Sequence, residues 1–242
     1  MSTGVTPTRH RRGVENVWRA LAAMTVLLLS GIVVLVLGDR SSNTSSSQGA
    51  TGSGVAATQV RSLPPLTAVD LAGASNVVVR VGARQSVIVH ADNNLLGRVT
   101  TQVSSGSLVI GNTPGTLNTR SPMFVAVSVP SLDALTVEGS GNISATGING
   151  PSLTVRLPGS GTIRAAGTTA QLDVAIGGSG TALLSRLIAR DATASIDGSG
   201  SIVLTATHSL SASISGSGTI VYTGNPAQVT KSVTGSGTIS GE

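Results

Sequence analysis

Through the second half of the chain, aliphatic and polar residues alternate, and each alternating run stops at the same Gly-Ser-Gly triplet. The triplet opens at Gly139, Gly159, Gly178, Gly198, Gly216 and Gly235, with spacings of 20, 19, 20, 18 and 19 residues. Two residues before it stand Val137, Leu157, Ile176, Ile196, Ile214 and Val233. Four residues after its first glycine stand Ile143, Ile163, Ala182, Ile202, Ile220 and Ile239. Further back the alternation continues, as in Leu153-Val155-Leu157 and Leu172-Val174-Ile176. Period two is the strand period. A unit of about 20 residues cannot bury its own apolar face and must stack on copies of itself. The pattern therefore predicts a parallel β-solenoid with glycine corners. Glycine suits a corner because it has no Cβ to hold neighbouring coils apart. The serine between the two glycines is placed to form a hydroxyl ladder from coil to coil.

Upstream, residues 61–130 carry shorter strand patterns without the triplet. Asn76 to Val81 and Val87 to His90 flank Gly82-Ala83-Arg84-Gln85, a hairpin or coil-turn arrangement. Val99 to Val103 and Leu108 to Ile110 flank Ser104-Ser105-Gly106, and a loop spans Asn112 to Pro122. Phe124 to Val129 is a strand closed by Pro130. This part reads as irregular N-terminal coils and an end cap, and 131–242 as the regular repeats. An uncapped solenoid end is an unpaired sheet edge that invites aggregation.

The first 60 residues lack the strand pattern. Residues 1–19 are basic, with Arg9, Arg11, Arg12 and Arg19 against Glu15. Ala20 to Leu37 is an uncharged run of 18 residues, and at about 1.5 Å per residue it covers about 27 Å as a helix. With positive charge ahead of it, this predicts a single transmembrane helix with the N-terminus in the cytoplasm and the rest exported. The competing reading is a cleaved signal peptide and a secreted product. Residues 38–60, rich in Ser, Gly and Thr, read as a flexible tether.

Composition narrows the function. Only Trp18, Phe124 and Tyr222 are aromatic, so the core is aliphatic. Without cysteine there is no disulfide, thiolate metal site or cysteine nucleophile. The formal charge of +5 belongs mostly to the basic tail, and no basic run interleaved with aromatics follows it, so no nucleic-acid partner is expected. His90, Asp92, Asn93 and Asn94 read as a turn that uses Asp and Asn for local hydrogen bonds. His208 stands alone, and three scattered histidines make no zinc set. Glu138 and Asp197 hold equivalent places three coils apart, about 14 Å at the inter-strand spacing, too far for a glycosidase pair. Asp173 and Asp191 read as solvated. The slot after each triplet holds Asn142, Thr162, Thr181, Ser201, Thr219 or Thr238, where calcium-binding rolls need Asp. No catalytic, cofactor-binding or metal-ligating residue is assigned, and no cofactor is expected. The assigned positions are structural corners: Gly139, Gly141, Gly159, Gly161, Gly178, Gly180, Gly198, Gly200, Gly216, Gly218, Gly235 and Gly237.

Several segments, in order, carry a family resemblance: Asn76-Val77-Val78-Val79, Val87 through Leu96, Ser107-Leu108-Val109-Ile110, Val127 through Leu132, and Val137-Glu138-Gly139-Ser140-Gly141-Asn142-Ile143. From about Leu66 to the end the chain resembles the bacterial putative auto-transporter adhesin family with the head GIN domain. The resemblance implies a right-handed parallel β-helix-like fold outside the cytoplasmic membrane, with no established activity or ligand residues. Taken together, the expectation is a membrane-anchored, non-catalytic, adhesin-like binding module of the cell envelope. Its partner would be an envelope or surface protein, or the chain itself. The alternatives are a self-associating scaffold or a regulatory extracytoplasmic domain in an envelope-stress system.

Overall fold

The computed structural model describes residues 49–242. The basic tail, the apolar run 20–37 and residues 38–48 of the tether lie outside the described residues. Among the described residues no helix is long and apolar enough to cross a membrane.

Among the described residues, seventeen strands and one short 3-10 turn (Leu96–Arg98) follow one another. The irregular part contains β1 (Ala50–Thr51), β2 (Ala56–Arg61), β3 (Ala68–Leu71), β4 (Asn76–Val81) and β5 (Ser86–Asp92). It continues with β6 (Val99–Ser104), β7 (Ser107–Asn112), β8 (Leu117–Asn118), β9 (Phe124–Val129) and β10 (Ala134–Val137). The repeats form β11 (Asn142–Leu157), β12 (Thr162–Ile176), β13 (Thr181–Gly198) and β14 (Ser201–Gly216). The last coil is made of β15 (Thr219–Thr223), β16 (Gln228–Gly235) and β17 (Thr238–Gly241).

Each repeat begins at a Gly-Ser-Gly corner, and its buried positions break into separate runs before the next corner. In β11 the buried positions are Ile143 and Ala145, then Ile148, then Leu153, Val155 and Leu157. Register shifts between Ala145 and Ile148, and between Arg164 and Ala166, mark the first bend. In each coil the run that follows the corner is the leading run, and the run that ends at the next corner is the trailing run. Stacking in register places like on like. Val77, Ile143, Ile163, Ala182, Ile202, Ile220 and Ile239 form one internal row. Leu157, Ile176, Ile196 and Ile214 form another, continued at the end of the stack by the exposed Val233.

All pairings among the repeats are parallel, as the periodicity predicts. The N-terminal end is not purely parallel. There β2 pairs β5, β5 pairs β9 and β6 pairs β7, all antiparallel. The two strands expected on either side of Ser104-Ser105-Gly106 form a hairpin, β6 to β7, with Ser105 at φ 50° and Gly106 at φ 79°. Positive φ at both turn residues matches the right-handed strand twist. Of the two arrangements offered around Gly82-Ala83-Arg84-Gln85, the hairpin does not form: β4 pairs β9 and β11, not β5. Nor do the early coils stack in chain order. The β3–β4 coil lies between β7–β9 on one side and β10–β11 on the other. A local period of two specifies strands but leaves their neighbours open.

The tether reading also needs correcting at its end. Gly49 to Arg61 contributes β1, paired to β8, and β2, paired to β5. Backbone ladders and a buried carboxylate hold this segment, so it needs no apolar alternation.

Candidate binding faces

At the corners, the residue after each triplet hydrogen-bonds across coils through its backbone. Thr162 N–H donates to Gly141 O (3.1 Å), Thr181 N–H to Gly161 O (3.0 Å) and Ser201 N–H to Gly180 O (3.0 Å). Thr219 N–H and Thr238 N–H continue the series to Gly200 O and Gly218 O. The serines join through their own N–H groups, as in Ser217 to Gly198 O at 2.9 Å. The predicted hydroxyl ladder is replaced by this backbone ladder, because the coils approach until amide meets carbonyl. That approach explains the second glycine of each triplet. A Cβ on Gly218 would lie 2.7 Å from Ile196 Cγ2 and 2.8 Å from Gly200 O. Positive φ enters only at the first glycine of the last three corners, for example 142° at Gly198.

The outward positions of the trailing runs make a polar face. Ser152, Gln171, Asp191, Ser209 and Gln228 form one row, and Thr154, Asp173, Thr193, Ser211 and Thr230 the next. A shallow trough of about 500 Å3 runs between them. Arg156 and Asp173 pair across its edge at 3.3 Å. Both are about half exposed, which makes this a weak interaction.

One cluster on this face escaped the sequence reading. His208 Nδ1 and Ser209 Oγ both lie 2.6 Å from Asp191 Oδ1, and Arg190 Nε lies 3.9 Å from Asp191 Oδ2. The Ser209 hydroxyl, then His208 and finally Arg190 hold the Asp191 carboxyl below its ordinary range. Asp191 is thus not merely solvated, and His208 does not stand alone. The available signal was their separation of 17 and 18 residues, about one coil. The arrangement is not a nucleophile relay, because Ser209 donates to the carboxylate and not to the imidazole. Glu138 and Asp197 stay three coils apart, since each register step advances one coil. Among the described residues no group of three His, Cys, Asp or Glu is arranged to hold a metal.

The segment after His90 does turn, with Leu95 N–H donating to Asp92 O at 2.8 Å, but its Asp and Asn side chains reach beyond the turn. Asp92, fully buried, accepts from Gly54 N–H (2.8 Å), Arg120 N–H (2.9 Å), Ser121 N–H (3.2 Å) and Ser121 Oγ–H (3.0 Å). Burial pushes its carboxyl up, but these donors outweigh burial and hold it below its ordinary value. Asn94 accepts from Ser53 N–H and donates to Thr51 O, while the Ser53 hydroxyl donates to Asn93. The three side chains bind a segment some 40 residues away, which sequence proximity could not indicate. His90 stacks on Phe124, with centroids 4.2 Å apart.

The outward positions of the leading runs make a different face. One row crosses ten strands: Val60, Ile88, Ala126, Val78, Ser144, Arg164, Leu183, Val203, Val221 and Ser240. It is largely aliphatic and half-exposed or exposed. Among the described residues, the leading runs that carry this row hold one carboxylate, the buried Asp92; Asp173, Asp191 and Asp197 lie further along β12 and β13.

The model of the family described as "Putative auto-transporter adhesin, head GIN domain" matches residues 65–226. The chain belongs to this family. Among solved structures, an adhesin-named protein from Bacteroides fragilis has the same fold, with a TM-score of 0.68 at 20% identity, covering 80% of this chain and all of its own. A protein from Parabacteroides distasonis named as lipid-binding aligns with a TM-score of 0.51 at 23% identity, covering 81% of this chain and all of its own. At these identities the likeness establishes the fold. No protein of curated function matches the chain.

Proposed function

We propose that this head GIN domain is a non-catalytic binding module displayed on the outer side of the cytoplasmic membrane. Residues 20–37 span the bilayer once, residues 1–19 remain in the cytoplasm, and the coils wind right-handed, as parallel crossovers do. The binding surface is the trailing face, and the partner is a protein of the envelope. The observation that carries this reading is the unbroken two-row lattice of Ser, Thr, Gln and Asp around the trough. Hydroxyls and amides spaced by about 4.8 Å from coil to coil offer both donors and acceptors to a partner's polar groups. The absence of aromatics from this lattice favours a protein over a sugar ring, which binds by stacking. Belonging to an adhesin-named family supports binding over catalysis.

The test places a photo-crosslinking residue at Thr193 or Ser211 in the full chain in intact cells, with protease shaving of a C-terminal tag alongside. The reading expects a discrete protein adduct from these positions, none from Arg80, and loss of the tag on shaving. Equal adducts from every position, or a tag protected until lysis, would overturn it.

A further inference from the structure

The leading face has the make-up of a surface that lies on an anionic bilayer. Its central outward row spans nine inter-strand steps, about 43 Å, along a single sheet. Val60 and Val78 are 70% and 39% exposed, and Leu183, Val203 and Val221 are half-buried. Between the two aliphatic stretches lies a hollow of about 400 Å3 lined by Ser144, Thr146, Arg164, Leu183, Ser185 and Arg186. Arg164 and Arg186 are both exposed, and among the described residues neither makes an ion pair or side-chain hydrogen bond. Arg80 points outward from the same face. The acids Asp70, Asp173 and Asp191 all sit on trailing runs, and Glu138 and Asp197 at the corners that end them. The leading runs therefore carry exposed arginine without an exposed carboxylate, whereas the trailing side mixes both signs.

We infer that this face docks on anionic phospholipid, with a headgroup phosphate held between the Arg164 and Arg186 guanidinia. Planar, weakly hydrated guanidinium donors match phosphate oxygens, and the Ser144, Thr146 and Ser185 hydroxyls supply further donors. Leu183, Val203 and Val221 then rest at the interface, where aliphatic surface is favoured over water. An acidic protein would satisfy the arginines but leaves the long aliphatic row unexplained. Docking this way turns the trailing face away from the bilayer, toward a partner. The inference does not depend on residues 20–37 acting as an anchor.

Because the chain contains no cysteine, single positions can be labelled. The full chain carrying an environment-sensitive fluorophore at Val203→Cys or, as control, Thr193→Cys is mixed with phosphatidylcholine vesicles with or without phosphatidylglycerol. Flotation separately reports membrane association of the whole chain. The expected result is a blue shift at position 203 only with phosphatidylglycerol, reversed by salt, and none at 193. Arg164→Gln with Arg186→Gln should weaken this response roughly 30-fold, about fivefold for each arginine, with Tm unchanged. Flotation with both vesicle types and no shift at 203 would overturn the inference while leaving the anchor standing. Equal shifts at 203 and 193, or binding of acidic protein with no lipid response, would also overturn it. A shift at 203 without flotation on neutral vesicles would sustain it and count against the anchor.

Discussion

Replacing Gly200 by Ala tests whether the corners exist for close approach. A Cβ there would lie 2.6 Å from Ile176 Cγ2 and 2.7 Å from Gly180 O. Neither atom can easily yield. Ile176 is a core side chain at 1% exposure, and Gly180 O accepts the Ser201 N–H at 3.0 Å. Overpacking of this kind costs about 1–3 kcal/mol, and weakening the inter-coil hydrogen bond adds about 1 kcal/mol. The sum, about 2–4 kcal/mol, corresponds to a Tm lower by about 5–15 °C in a domain of this size. Gly180→Ala should cost less, because its Cβ would meet Leu157 Cδ2 at 2.9 Å and carbonyls at 3.1 and 3.2 Å. Gly150→Ala is the control. Its nearest neighbour would be Ser152 O at 3.9 Å, so relief of backbone entropy should leave Tm level or slightly raised. Thermal unfolding followed by far-UV circular dichroism ranks the three variants. If Gly200→Ala melts with Gly150→Ala, the corners are not held by close approach and the argument fails.

Three further outcomes follow from individual side chains. Asp92→Asn should lower Tm near neutral pH, since an amide presents its NH2 to backbone donors. Because the folded carboxyl sits below its ordinary value, its stabilisation is complete above about pH 4 and lost as pH falls through the folded value. The two proteins should therefore converge in Tm at acid pH, and a constant gap would refute the role. Asp70 is the opposite case: burial, then Glu138, raise its carboxyl, and Oδ1 is buried without a partner. Ionisation there destabilises the fold as pH rises, so Asp70→Asn should raise Tm at neutral pH and make no difference where Asp70 is protonated. A Tm–pH profile parallel to the wild type would contradict this. Lys231 occupies an inward register position in line with Ala194 and Ala212, on β16, whose eight residues are all exposed. Its ammonium lies over the Tyr222 ring and donates to Ile239 O. An inward-pointing charge guards an open edge, so Lys231→Val, beside exposed Val229 and Val233, should produce end-to-end oligomers by light scattering. Unchanged mass across concentrations would remove that role.

The repeat half was legible in the sequence because its determinants are local. Alternation selects the strand, the triplet marks the corner, and a near-constant spacing forces aliphatic residues into rows. The glycines were identified from spacing alone, and the structure adds that both positions are crowded by the preceding coil. What the sequence could not supply was adjacency at longer range. Nothing in the Ser/Gly-rich stretch after residue 48 announces that Asp92, Asn93 and Asn94 hold it, because those bonds join residues about 40 apart. The insertion of the β3–β4 coil between two later coils is equally silent, since strands of similar pattern can exchange neighbours without changing their own periodicity. The Asp191–His208–Ser209 cluster and the pairing of Arg164 with Arg186 beside one hollow arise only when coils stack. Side-chain alternation assigns inside and outside, while stacking register decides which outward residues share a surface.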